Sequence, residues 1–191
     1  MDKEGVSMRI DTLGFLELTS ISKGIEAVDA MLKVAQVELI SAKASCPGKY
    51  YIVIAGNVDS VNRSVTEGVR IGAAHMVGKL VMPRISEQVI KGINCTKVPD
   101  ELNAIGVMEY YSCAGSIMAA DAAVKAADVK IMAIRLATAL AGKSYVVITG
   151  DTAACHSAIE AGITAAKEEA LLIHKVVISR PQKEVFESLV Y

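Results

Sequence analysis

Tryptophan is absent from this chain, phenylalanine occurs twice, and aromatic residues make up 4% of its 191 positions. A core built on large rings is therefore excluded, and apolar packing must come from smaller side chains. An excess of one charge is also lacking: 20 Lys and Arg stand against 21 Asp and Glu. No polybasic run offers a footprint for nucleic acid or an anionic membrane surface. No apolar stretch approaches the roughly 18 residues of a spanning helix, and the polar start MDKEGVSMRIDT has no apolar signal core. The four cysteines (Cys46, Cys95, Cys113, Cys155) form no CxxC pair and no disulfide framework. They read as free thiols in a reducing, cytoplasmic setting. Catalytic signatures are missing as well, with no GxSxG, HExxH or GxxxxGK[ST]. Gly48-Lys49 and Gly142-Lys143 each open a strand instead of a helix, so they read as turn glycines with solvated lysines. The sequence does not describe an enzyme.

What the chain does have is small apolar side chains. Hydrophobic residues reach 52% with mean hydropathy +0.40, and the excess is Ala, Val and Ile. That composition suits tightly packed small elements and extensive subunit interfaces. The length allows one large or two small domains, and an internal repeat decides for two. Shifted by 92, GFLELTSISKGIEAVDAMLKVAQV (14–37) lies over GVMEYYSCAGSIMAADAAVKAADV (106–129) with ten of 24 positions identical. After a two-residue insertion the offset becomes 94, and GKYYIVIAGN (48–57) lies over GKSYVVITGD (142–151). The boundaries that follow are an N-terminal extension 1–12, domains 13–93 and 105–191, and a linker NCTKVPDELNA around 94–104.

Each copy predicts the order β-α-β-β-α-β, an α/β (α+β) unit with a mostly antiparallel sheet and helices on one face. Strands are expected at 13–18, 37–44, 50–55 and 79–82, and at 105–110, 129–137, 144–149 and 172–178. The first helix of copy one carries Ile25, Val28, Met31, Leu32 and Ala35 at helical spacing; that of copy two carries Ile117, Ala120, Val124 and Ala127. The second helix carries Val58, Val61, Val65, Val69 and Ala73, with Asn57, Asp59, Asp151 or Thr152 as candidate caps.

These residues carry a resemblance. AVDAMLKVAQVELI followed by CPGKYYIVIAGNVDSV, and AADAAVKAADVKI followed by GKSYVVITGD, resemble the shell domain of bacterial microcompartments (BMC), as does the tail SRPQKEV (179–185). The resemblance covers residues 13–186, in both halves and in unpermuted strand order. It implies a structural shell protein of the tandem, trimeric subclass, located in the microcompartment shell. The placement of Cys-Pro-Gly is similar to the propanediol-utilisation type that carries an iron–sulfur cluster.

The sister copy tests every residue that could do chemistry. Cys155 falls on Val61 and Cys113 on Ile21, which reads as apolar packing. His174 falls on Leu80, a packing position, and His156 on Asn62, an exposed one; His75 has no partner at i±4. A zinc site is not expected from them. Glu17 and Glu109 are repeat-related and read as structural. Cys95 lies in the linker.

Cys46 survives. Its counterpart loop RLATALAGK (135–143) is two residues longer and has no cysteine. Pro47 restricts residue 46 to extended geometry, and Gly48 lets the backbone approach a bulky group. The resemblance places Ser45, Cys46, Pro47 and Gly48, with Thr138, Ala139, Leu140, Ala141 and Gly142, around the central pore of a homotrimeric pseudohexamer. Three Cys46 thiolates would then converge on one [4Fe–4S] cluster per trimer, for electron transfer across the shell. The resemblance also puts Lys33, Lys125 and Arg180 at the tile edge against other shell proteins. Arg84 fits its motif less well because no proline follows it. A redox enzyme would be a further partner. The rival readings are a metabolite-conducting pore lined by Cys46, and a ferredoxin-like module that binds a small effector.

Overall fold

The computed structural model describes residues 10–94, 96, 103–137, 140–168 and 171–189. The first repeat runs β1 (Thr12–Leu18), α1 (Ile21–Val34), β2 (Glu38–Ser45), β3 (Lys49–Gly56), α2 (Val58–Gly72), β4 (Met76–Pro83) and α3 (Glu87–Asn94). The second runs β5 (Ala104–Tyr110), α4 (Cys113–Ala126), β6 (Val129–Leu136), β7 (Ser144–Gly150), α5 (Thr152–Ala166), β8 (Leu172–Ile178) and α6 (Lys183–Ser188). The expected order holds in both copies.

Two four-stranded sheets form, ordered β2-β3-β1-β4 and β6-β7-β5-β8. In each, the first strand pairs antiparallel with its two neighbours, Phe15 opposite Val53 and Leu80, and Val107 opposite Val147 and Val176. The chain separates into two compact units. One holds β1, α1, α2 and β4 with most of β2 and β3; the other holds the Lys43–Lys49 turn, α3 and all that follows.

Helix starts are set by short polar side chains. Ser20, Asn57, Ser112 and Asp151 accept hydrogen bonds from the amides of Lys23, Ser60, Gly115 and Ala154 at 3.3, 2.9, 3.1 and 2.6 Å. In the first unit the helices cover one face of the sheet. Leu16, Leu18, Ile52 and Ile54 pack there against Ala27, Met31, Val61 and Val65. Each such Leu, Ile, Val or Met side chain contributes about 1.5–3 kcal/mol by leaving water. Ser64, fully buried, donates to the Met31 carbonyl at 2.9 Å and so joins α2 to α1 without an orphaned hydroxyl. In the second unit Ile105, Met132 and Val147 gather around Phe186 of α6, which covers the sheet face opposite α4 and α5.

Four expected core positions are overturned: Ala73 is exposed just beyond the C-terminal end of α2, and the other three lie on outward helix faces. Ile25, Leu32 and Val58 are 56%, 39% and 41% exposed, because Gly24, Ala27 and Met31 form the inward stripe of α1, and Val61 and Val65 that of α2. The His174 expectation also fails. Strand register sets Glu17 opposite Gly78 and Glu109 opposite His174, so the true offset in the last strand is 96 and His174 is exposed. At that offset Arg84 and Arg180 are equivalent positions.

Candidate functional site: the turn at Cys46 and its neighbouring loop

The β2–β3 hairpin closes through Cys46, Pro47 and Gly48. Gly48 adopts φ +75°, a left-handed conformation that a Cβ would strain, with open space around it. Cys46 is half-buried and its thiol is free, while Pro47 and Gly48 are exposed. Just before them Ser45 is 7% exposed, and its buried Oγ has no hydrogen-bond partner. An orphaned hydroxyl of this kind costs about 1–3 kcal/mol.

The β6–β7 connection lies against this turn within the same unit. Cys46 donates its N–H to the Ala137 carbonyl at 3.1 Å, and Ala137 donates its own to the Lys143 carbonyl at 3.0 Å. The Lys143 N–H in turn reaches the Leu140 carbonyl at 3.0 Å. Ala137, Ala141 and Gly142 all have positive φ, at 49°, 50° and 86°. Non-glycine residues rarely adopt such backbone, and it costs on the order of 1–3 kcal/mol where it occurs. A Cβ on Gly142 would stand 3.3 Å from the Cys46 carbonyl oxygen. The pairing of the two loops was not visible in the sequence. Its one trace was Gly142 itself, placed where the longer loop must let the Cys46 backbone pass. Thr138 and Ala139 lie outside the described residues.

Lys143 is not merely solvated: its Nζ pairs with Glu109 at 3.1 Å across the first strand of the second copy. The other cysteines lie elsewhere. Cys113 is 2% and Cys155 0% exposed, and burial, with Asp151 nearby, pushes the Cys155 thiol up. Cys95 lies outside the described residues. His75 is exposed and within 3.3 Å of the Thr19 hydroxyl; His156 is exposed on α5. Among the described residues, no three His, Cys, Asp or Glu side chains gather where they could hold a metal ion.

The candidate edge residues are all at the surface. Lys33 pairs with Asp29 and Lys125 with Asp121, both at 2.5 Å and four residues apart. The two pairs differ in depth. The Asp29 side chain is 64% exposed but that of Asp121 is 7%, and Asp121 also accepts the Ser86 N–H at 2.8 Å. Arg84 and Arg180 are exposed, Arg84 with φ 56°.

Comparison with known proteins agrees with this architecture. The BMC domain model matches twice, at residues 12–85 and 104–181. The bacterial microcompartment shell protein PduT of Citrobacter freundii is 38% identical over 93% of this chain and 97% of its own length. The crystal structure of a microcompartment protein from Desulfitobacterium hafniense DCB superposes with a TM-score of 0.89 at 39% identity, covering 94% of this chain and 99% of that one. A fused, permuted hexameric shell protein of the RMM microcompartment shares the fold at TM-score 0.58 and 21% identity, covering 82% and 84%. With the domain present twice and a full-length relative above one-third identity, the chain belongs to the BMC-domain family as a two-domain microcompartment shell protein, structural and not an enzyme.

Proposed function

We propose that three copies of this chain form a pseudohexagonal tile of a microcompartment shell, and that its centre holds one [4Fe–4S] cluster on three Cys46 thiolates. The observation that carries the reading is the Cys46 turn. It presents a free, half-exposed thiol, and the hydrogen bond to Ala137 and the close approach of Gly142 fix its backbone. Among the described residues one chain supplies a single thiol here, so a multi-thiolate site built from them requires further copies. Thiolate is the donor that iron–sulfur clusters take, and three leave one iron for a non-cysteine ligand. The orphaned Ser45 hydroxyl next to the turn is a polar group still lacking a partner. When bound, such a cluster supplies one-electron transfer, here between the two sides of the shell. Lys33, Lys125, Arg180 and Arg84 then face neighbouring shell proteins laterally.

Protein purified without oxygen tests the cluster. About four irons per three chains and brown colour are expected, both lost in Cys46→Ser with the oligomer intact. Cys113→Ser and Cys155→Ser should keep both. Iron retained by Cys46→Ser, or no iron bound after anaerobic reconstitution, would overturn the cluster in favour of a pore that conducts a metabolite.

A further inference from the structure

The second unit contains a seam that the first repeat leaves open. There α3 lies along edge strand β6 and beside α4. Val89 is fully buried, Ser86 donates its N–H to Asp121 Oδ1 at 2.8 Å, and the Ile131 N–H reaches Gln88 Oε1 at 3.1 Å. A Cβ on Gly92 would stand 2.6 Å from Ile131 Cγ2 and 3.4 Å from Ile134 Cγ1.

The repeat assigns a counterpart to each of these residues. At the offset of 96 fixed by strand register, Ser86, Gln88, Val89 and Gly92 of α3 become Gln182, Glu184, Val185 and Ser188 of α6. At offset 92, Ile117, Asp121, Ile131 and Ile134 become Ile25, Asp29, Leu39 and Ala42. The counterparts are bare. Ile25 is 56% and Leu39 40% exposed where Ile117 and Ile131 are 0% and 5%. Val185 is 37% exposed where Val89 is 0%. An apolar edge strand stands without its helix, and a helix of the matching kind stands without its edge.

We propose that α6 of one copy lies on the α1–β2 edge of a second copy, repeating the α3 seam between chains. The proposal rests on the trimeric reading above and gives that trimer its contact residues. Matched exchanges between helix and edge identify the occupant as this chain itself. Ser188 carries the Cβ that Gly92 lacks, and Leu39 lacks the Cγ2 that such a Cβ would strike in Ile131. Ala42, in place of Ile134, widens the same space. Glu184, in place of Gln88, keeps a side-chain oxygen to accept the Leu39 N–H, and the Gln182 N–H takes the place of Ser86 opposite Asp29. Each copy gives one helix and receives one, a head-to-tail contact that closes into a ring.

The test is a disulfide across the seam, Leu39→Cys with Ser188→Cys, in a Cys46→Ser background that keeps the pore thiols out of the reaction. A disulfide needs Cβ atoms about 3.5–4.5 Å apart, within reach if the pair matches Ile131 and Gly92. Mild oxidation should give covalent species of up to three chains on a non-reducing gel, and each single variant should stay monomeric there. Light scattering on the same samples separates the two ideas. A trimer that does not cross-link overturns the seam and leaves the trimeric reading standing; a monomeric parent protein overturns that reading itself. Val185→Asp changes a side chain that is exposed within one chain. It should lower the trimer population at least tenfold at micromolar concentration without changing the far-ultraviolet circular dichroism; an undiminished trimer overturns the proposal.

Discussion

Cys46 and Ala137 come from corresponding hairpins of the two repeats, and a backbone hydrogen bond of 3.1 Å joins them within one compact unit. The cysteine turn is therefore supported from the side by the cysteine-free loop. That division explains why the two loops differ in sequence. The first carries the thiol, and the second carries the left-handed Ala137, Ala141 and Gly142 that shape the support.

Gly142→Ala and Gly48→Ala should separate support from turn. Both introduce a Cβ at positive φ, costing on the order of 1 kcal/mol in backbone strain. At Gly142 the Cβ also meets the Cys46 carbonyl at 3.3 Å, whereas at Gly48 nothing lies within 4 Å. Under the proposed trimeric cluster site, Gly142→Ala should lose the larger share of iron on anaerobic reconstitution. Equal losses in the two variants would show that the contact with Cys46 is unimportant.

Gly68→Ala should destabilise the first unit by about 1–3 kcal/mol, the usual cost of overpacking a filled core. The added Cβ would lie 2.4 Å from Leu16 Cδ1 and 2.6 Å from Met31 Sδ, both fully buried side chains. Gly78→Ala, with nothing within 4 Å, should leave stability within about 0.5 kcal/mol. Urea midpoints at neutral pH compare the two.

Element order and the caps of the second helices were legible because each repeat states them twice: Asn57 and Asp151 cap the same helix in its two copies. Burial was less legible. Ile25 and Leu32 follow helical spacing as well as Met31 does, yet single-chain packing takes Met31 and leaves the other two exposed. Hydrophobicity shows that a side chain is to be covered, without saying whether the same chain covers it. Paired changes were hidden for another reason. Tyr50 fills the space above Gly24, where a Cβ would lie 2.4 Å from its ring, and the second copy has Ser116 and Ser144 in those places. Each such exchange is visible only once helix and strand are brought together.

The two edge lysines should behave differently when removed. In a Val185→Asp background, which leaves the Asp29 side of α1 uncovered, Lys33→Ala breaks a pair exposed by 74% and 64%, which contributes little in water, so stability should change by less than about 0.5 kcal/mol. Lys125→Ala leaves Asp121, 7% exposed, without its ammonium partner and with the Ser86 N–H as its remaining donor among the bonds described above. That variant should be the less stable by about 1 kcal/mol or more in urea unfolding. For lateral assembly Lys33→Ala is the cleaner probe, because it adds no carboxylate beside Asp29. Sheets should fail to form while trimers persist, and intact sheets would remove Lys33 from the tile edge.

Alkaline pH should weaken the second unit through two buried groups. Tyr110, donating to Met108 Sδ at 3.5 Å, has its phenol pushed well above the usual tyrosine range by burial. The Cys155 thiol is raised by burial first and by Asp151 second. Both groups are neutral when protonated, so the folded state holds the proton more tightly than the unfolded chain, whose reference values are 9.0 for the thiol and 10.0 for the phenol. Their contribution is complete below those values and is lost as pH rises through them toward the folded-state values. Urea midpoints of the parent protein should be flat to about pH 8 and fall steadily from pH 9 to 11. Cys155→Ala should flatten the onset of that fall and Tyr110→Phe its upper part, each after an offset at pH 7 for the lost packing or hydroxyl. Parallel curves for all three proteins would show that neither group governs the alkaline limit.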